Sequence, residues 1–182
     1  MIKSCARFSR NVCQVLIVSG ACVLGAWAAE ASSVTVEAES GVLGADWAVN
    51  SSGSPVFIAI GSNNTGGNPS SASRVATYEV VFPAAGTYEL YARIRVGSAA
   101  FDDDSLFYGN GFGNKSPTSD GDWILVNGLA SAGFTASGST VAGVGSAGSQ
   151  VWKWVNLSHF TNGVSESPLT FSVSADALAR TF

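Results

Sequence analysis

Cysteine is missing from all but the first 22 residues: Cys5, Cys13 and Cys22 are the whole complement. The remainder of the chain therefore has no disulfide and no thiolate chemistry, and must draw its stability from burial. Histidine is as scarce. His159 is the only one, which excludes a histidine-rich zinc site. No serine stands in a Gly-x-Ser-x-Gly elbow, so that hydrolase signature is absent. Charged residues make up 12% of the chain, against about 25% in typical globular proteins. Basic residues are the rarer sign, nine Lys and Arg against thirteen Asp and Glu. Nucleic acid and anionic membranes both require basic patches, so neither is an expected partner. A neutral, hydroxyl-rich ligand suits this surface better. Amphipathic helices of useful length are missing too.

What is present begins with an export signal. Lys3, Arg7 and Arg10 form a basic head, Val12 to Gly25 an apolar run, and Ala26-Trp27-Ala28 a small-x-small cleavage site. The run is interrupted by Gln14 and falls short of the roughly 20 residues of a membrane anchor. A lipoprotein signal at Cys22 would want a bulky aliphatic where Ser19 stands. The expectation is a leader over residues 1–28 and a secreted, periplasmic or cell-surface chain over 29–182, with no stable membrane insertion after processing. That chain keeps six basic residues against thirteen acidic, a net charge of −7.

The clearest structural signal is Thr87 to Val96, where Tyr88, Leu90, Ala92, Ile94 and Val96 alternate with Thr87, Glu89, Tyr91, Arg93 and Arg95. Such alternation predicts a half-buried antiparallel strand. Arg74–Phe82 alternates likewise, and the short connection through Pro83 and Gly86 reads as one hairpin. Further strands are expected at Val34–Glu39, Asp46–Val49, Val56–Ile60, Asp104–Tyr108, Trp123–Val126, Val151–Leu157 and Leu169–Ser174. This pattern, with Gly, Ser and Asn between strands, argues for an all-β sandwich, a closed barrel being the alternative. Two loops stand out, Gly61–Ser73 and Gly128–Gln150. The second is long enough to be a binding loop or a linker.

Candidate chemistry lies in a few groups. Glu37 and Glu39, two apart on one strand, would sit about 7 Å from each other and could share a calcium ion, which takes six to eight oxygens. The other reading is a pair of solvated glutamates. Trp152 and Trp154 share one strand face and Lys153 and Val155 the other. Trp123, Tyr108 and Phe112 lie at loop ends. Sugars lay their C–H faces on flat rings, so each of these is a platform candidate, with burial as an ordinary core ring the competing fate. Asn110, Asn127 and Asn156 are polar neighbours of these rings, and the first two serve either as donors to hydroxyls or as turn residues. Asp102-Asp103-Asp104 is an acidic run without the spacing of a glycosidase pair, and reads as a solvated turn or a second cation site.

Val34-Thr-Val-Glu-Ala-Glu-Ser-Gly41, Tyr78 through Arg95, Asp104-Ser105 and Trp152-Lys-Trp154 resemble, in that order, the carbohydrate-binding modules of families 6 and 35. The resemblance implies a galactose-binding-like jelly roll that binds plant or microbial polysaccharide without catalysis, with a structural Ca2+ at Glu37 and Glu39. It also implies a loop-end sugar site at Trp152, with Trp154 deeper in the core. Family members continue into a last strand that carries an acidic calcium ligand. Here Asp176 to Phe182 reads as the approach to that strand, which implies a C-terminally truncated fragment. A second reading makes the chain the N-terminal part of a secreted glycan-degrading enzyme, linked to a catalytic domain. A third makes it a structural sandwich with no ligand.

Overall fold

The computed structural model describes residues 32–53, 55–99, 102–130, 150–159 and 169–182, together with the backbone of 6–10. The apolar run and cleavage site of the expected leader, and the middle of the Gly128–Gln150 loop, lie outside the described residues. The strands are β1 (Ala6–Arg10), β2 (Ser33–Val36), β3 (Val42–Leu43), β4 (Trp47–Asn50), β5 (Phe57–Ile60), β6 (Ala76–Thr77) and β7 (Glu79–Val81). They continue with β8 (Gly86–Ile94), β9 (Leu106–Gly109), β10 (Trp123–Val126), β11 (Lys153–Asn156), β12 (Phe171–Val173) and β13 (Ala179–Thr181). Among the described residues, helix is confined to short 3-10 turns such as Ala38–Ser40 and Asp120–Asp122. The chain is all-β, as its alternation predicts.

The long strand β8 organises the molecule. Its Tyr88, Leu90 and Ile94 are at most 1% exposed, and burial of such side chains contributes about 1.5–3 kcal/mol each. One edge of β8 pairs with β1 and the other with β12 and then β11, every pairing antiparallel; β2 joins beyond β1. Against this five-stranded sheet pack shorter two-stranded ladders, β7–β13 and β9–β10. Val80, Phe82, Tyr108, Ile124 and Val126 from those ladders meet Tyr88, Leu90, Val155, Phe171 and Val173 from the sheet in one core.

Several expectations need correction. The hairpin of 74–82 with 87–96 does not form. β7 pairs with β13, and the Phe82 amide donates to the Leu178 carbonyl at 2.9 Å, so the Pro83 turn carries the chain from one ladder into another sheet. Residues near the C-terminus thus already form a strand, since Ala179–Thr181 pairs with Glu79–Val81. Thr87–Val96 is also more than half-buried, because Glu89 and Tyr91 on the outer face are only 7% and 8% exposed. The Glu89 carboxylate accepts from the Tyr91 hydroxyl at 3.0 Å and from the Asn156 amide at 2.6 Å. Asn156 is therefore a buried strand residue, within the strand expected over Val151–Leu157. The pair Lys153 and Val155 points inward, and Trp154, expected in the core, stays half-buried opposite Arg93 and outside the core cluster.

Candidate functional site

Among the described residues a cleft of about 720 Å³ lies among the β3–β6, β4–β5 and β9–β10 ladders. Its apolar lining includes Leu43, Ile58, Ile60 and Leu106, and its rings are Trp47, Tyr78, Phe107, Tyr108 and Trp123. Asn63, Asn64 and Asn114 add amides, Lys115 and Arg74 add cationic groups, and Asp102 and Asp103 add carboxylates. An apolar concavity with a few convergent polar groups is the usual form of a small-molecule site.

Local chemistry holds these groups in place. Trp47, half-buried at the start of β4, donates its indole N–H to the Arg74 carbonyl at 3.0 Å. Arg74 is itself paired with Asp46 at 3.5 Å. Gly44 allows this approach, because a Cβ there would meet the carbonyl oxygens of Ala72 and Ser73 at 2.4 Å. Trp123 is half-buried, and its indole donates to the Ser116 carbonyl at 2.7 Å. Its strand neighbour Ile124 stands opposite Tyr108. Along one wall runs the Gly61–Ser73 loop, which the sequence singles out. Its Asn68 amide donates to Asp120, and its Ser70 amide donates to the Pro117 carbonyl at 2.7 Å. Tyr108 is 4% exposed, and burial holds its hydroxyl well above the ordinary tyrosine pKa. Tyr78 is raised likewise by burial and then by the Glu39 charge.

The structure brings Trp123 and Tyr108 together at this cleft, with Asp102 and Asp103 on its lining, and leaves Trp152, Asn110, Asn127, Glu37 and Glu39 outside it. Asn110 is a loop fastener: its amide donates to the Gly121 carbonyl and its oxygen accepts from Lys115 Nζ at 2.9 Å. Asn127 receives the Gly128 amide at 2.8 Å beside a glycine with φ of +87°. Both fit the turn reading. Trp152 lies elsewhere, edge-on to Phe57 at 5.7 Å between ring centroids, with the Arg93 guanidinium over its ring at 5.8 Å. Trp47 was not among the sequence candidates. Its position at the head of the expected strand Asp46–Val49 was the only signal the sequence offered.

The glutamate pair does not share a strand. β2 ends at Val36, and the Ser40 amide and hydroxyl both donate to the Glu37 carbonyl, at 3.1 and 2.7 Å, turning the chain into the 3-10 segment Ala38–Ser40. Glu37 is exposed, whereas Glu39 Oε2 is buried and accepts no hydrogen bond. A buried carboxylate oxygen in that condition suits a cation. No group of three acidic, histidine or cysteine side chains converges among the described residues, so most further oxygens would have to come from carbonyls or water.

A buried lysine and a buried aspartate whose charges influence each other give no sign of this in the sequence. Lys153 is 1% exposed and donates from Nζ to the Leu129 carbonyl. Asp104, expected at the end of a solvated turn to cap or orient the following strand, is 2% exposed and accepts the Ala130 amide at 3.2 Å. The Leu129 amide donates to the Asp104 carbonyl at 3.1 Å. Burial lowers the Lys153 pKa from its ordinary value, and the Asp104 charge partly restores it. Together these groups pin Leu129 and Ala130. Comparison with protein-family models, with curated proteins and with solved structures finds no match.

Proposed function

We propose that the chain is a non-catalytic carbohydrate-binding module that takes polysaccharide into the cleft between Trp47 and Trp123. The observation that carries this reading is the composition of the cleft wall, where aromatic rings stand among side-chain amides. Rings accept the C–H faces of a pyranose, and amides and carboxylates satisfy its hydroxyls. Sparse charge and a net −7 for residues 29–182 favour an uncharged glycan over an anionic polymer. The resemblance to families 6 and 35 points the same way. The reading includes export through residues 1–28 and a jelly-roll arrangement of the strands. It also includes a structural Ca2+, with Glu39 supplying its free buried oxygen and Glu37 a second carboxylate. The ion, when bound, would neutralise Glu39 and brace the turn after β2. Work on a surface would come from weak contacts multiplied by attachment to an enzyme or cell wall.

Retention of the secreted protein on insoluble xylan, cellulose and β-glucan tests the reading. Trp123→Ala is expected to lower retention at least about fivefold on the polysaccharide that binds, with Trp152→Ala leaving it within about twofold, since one stacked ring contributes about 1–3 kcal/mol where flat rings stack on it. Loss with Trp152→Ala alone would move the site to the β11 face. Absence of retention on every glycan would refute carbohydrate binding. Chelation should lower the melting temperature if Glu39 holds calcium.

A further inference from the structure

The strand between β2 and β8 comes from residues that the sequence marks for removal. β1 pairs with β2 in a four-residue register, Ala6 opposite Val36 through Ser9 opposite Ser33. On its other edge it pairs with β8 from Ala6 opposite Ala92 to Arg10 opposite Tyr88. Among the described ladders, β2 has no other partner. Taking away β1 therefore opens two facing edges at once, with their amides and carbonyls unpaired. The floor of the opening is apolar, because Leu90 and Ala92 are 1% exposed and Val34 and Val36 pack on the same core. Water cannot replace a strand there without wetting that core.

We propose that the β1 position is an exchangeable strand site, filled by Ala6–Arg10 in the unprocessed chain. Once the leader is gone, it accepts an extended segment of another polypeptide. The entering strand runs antiparallel to both neighbours and carries apolar residues two apart, at the positions opposite Leu90 and Ala92. It is basic rather than acidic. Glu89 and Tyr91 in the outer row of β8 stand opposite Ser9 and Arg7, the processed chain has a net charge of −7, and the resident strand carries Arg7 and, opposite Tyr88, Arg10. Strand addition of this kind draws affinity from main-chain hydrogen bonds and specificity from alternate side chains. The inference rests on the reading of residues 1–28 as a removed leader, which N-terminal sequencing of the exported product tests separately. Polysaccharide retention measured on the same sample keeps it distinct from the binding reading.

The test uses the full chain with a protease site placed between Arg10 and Ser32, cut after folding, and a fluorescent synthetic peptide of residues 4–12. The labelled peptide is expected to replace the resident strand saturably. Versions with Phe8→Asp, or with Arg7→Glu and Arg10→Glu, should compete at least tenfold more weakly. No uptake, uptake indifferent to these changes, or closure of the slot by pairing of two copies would overturn the proposal. In the uncut chain, Phe8→Pro is expected to speed amide hydrogen exchange in 33–36 and 88–92 at least tenfold; unchanged protection in both segments would also overturn it.

Discussion

Lys153→Ala should cost the fold about 3–5 kcal/mol, the usual effect of leaving a buried charge without its compensating partner, because the Asp104 charge acts on Lys153 and both residues are buried. Lys153 and Asp104 are 1% and 2% exposed, so truncation leaves a carboxylate in the interior without its neighbouring cation. The Leu129 carbonyl loses its donor as well. The double variant Lys153→Met with Asp104→Asn keeps the volume and removes both charges, and should recover most of the loss. Chemical denaturation of the three proteins measures this directly. The pH dependence has a defined sign. Because the folded-state pKa of Lys153 is lowered, the unfolded chain binds its proton more tightly, and the contribution of this group to stability rises with pH in the window below its ordinary value of 10.5. Wild type should therefore gain on Lys153→Met as pH climbs towards that value. A single variant that loses less than 1 kcal/mol would show that the pair is not buried as described.

Phe171→Ala is expected to cost a similar 3–5 kcal/mol, the range for truncating a buried phenylalanine. Phe171 is 2% exposed on β12, with ring centroids at 5.4 Å from both Phe112 and Phe182 and at 6.5 Å from Tyr108. Phe112 in turn meets Phe82 at 5.5 Å. The ring cluster thus ties the five-stranded sheet to β7, β9 and β13. For a domain of this size, 1 kcal/mol shifts the melting temperature by about 2–4 °C, so a fall of at least 6 °C is predicted. Tyr108 and Phe182 also line the cleft, and Phe171→Ala should therefore weaken polysaccharide retention under conditions where the protein is still folded. Phe171→Leu, which refills most of the space, should restore both properties in large part.

Long alternation was legible. Tyr88 to Val96 declared its inward face because a period of two sustained along the whole segment matches the strand repeat and no helical one, and Trp123–Val126 forms at the expected bounds. Ladders of two or three residues were not legible. Val42–Leu43 and Ala179–Thr181 become strands only because distant partners, Ala76–Thr77 and Glu79–Val81, reach them. Alternation also fails to say which face turns inward. On β11 it separated two tryptophans from a lysine and a valine, and position deeper in the strand favoured burying Trp154. Asp104, remote in sequence, reverses that choice by giving Lys153 a buried counter-charge. Half of the candidate site was readable, since Trp123 and Tyr108 were named from loop-end position. Trp47 was not, because the cleft exists only when β4, the Gly61–Ser73 loop and β10 meet. The expected placement of Glu37 and Glu39 on one strand failed because the backbone turns after Val36, a local bend that two residues of alternation cannot reveal.

Amide and indole chemical-shift mapping during titration with soluble oligosaccharides tests the binding cleft most directly. Shifts are predicted to concentrate on the indole signals of Trp47 and Trp123 and on the amides of Asn63, Asn64 and Lys115, with those of Trp152 and Trp154 unmoved. Saturating shifts confined to Trp152 and Trp154, or none with any glycan that the protein retains, would contradict the assignment of the cleft as the sugar site.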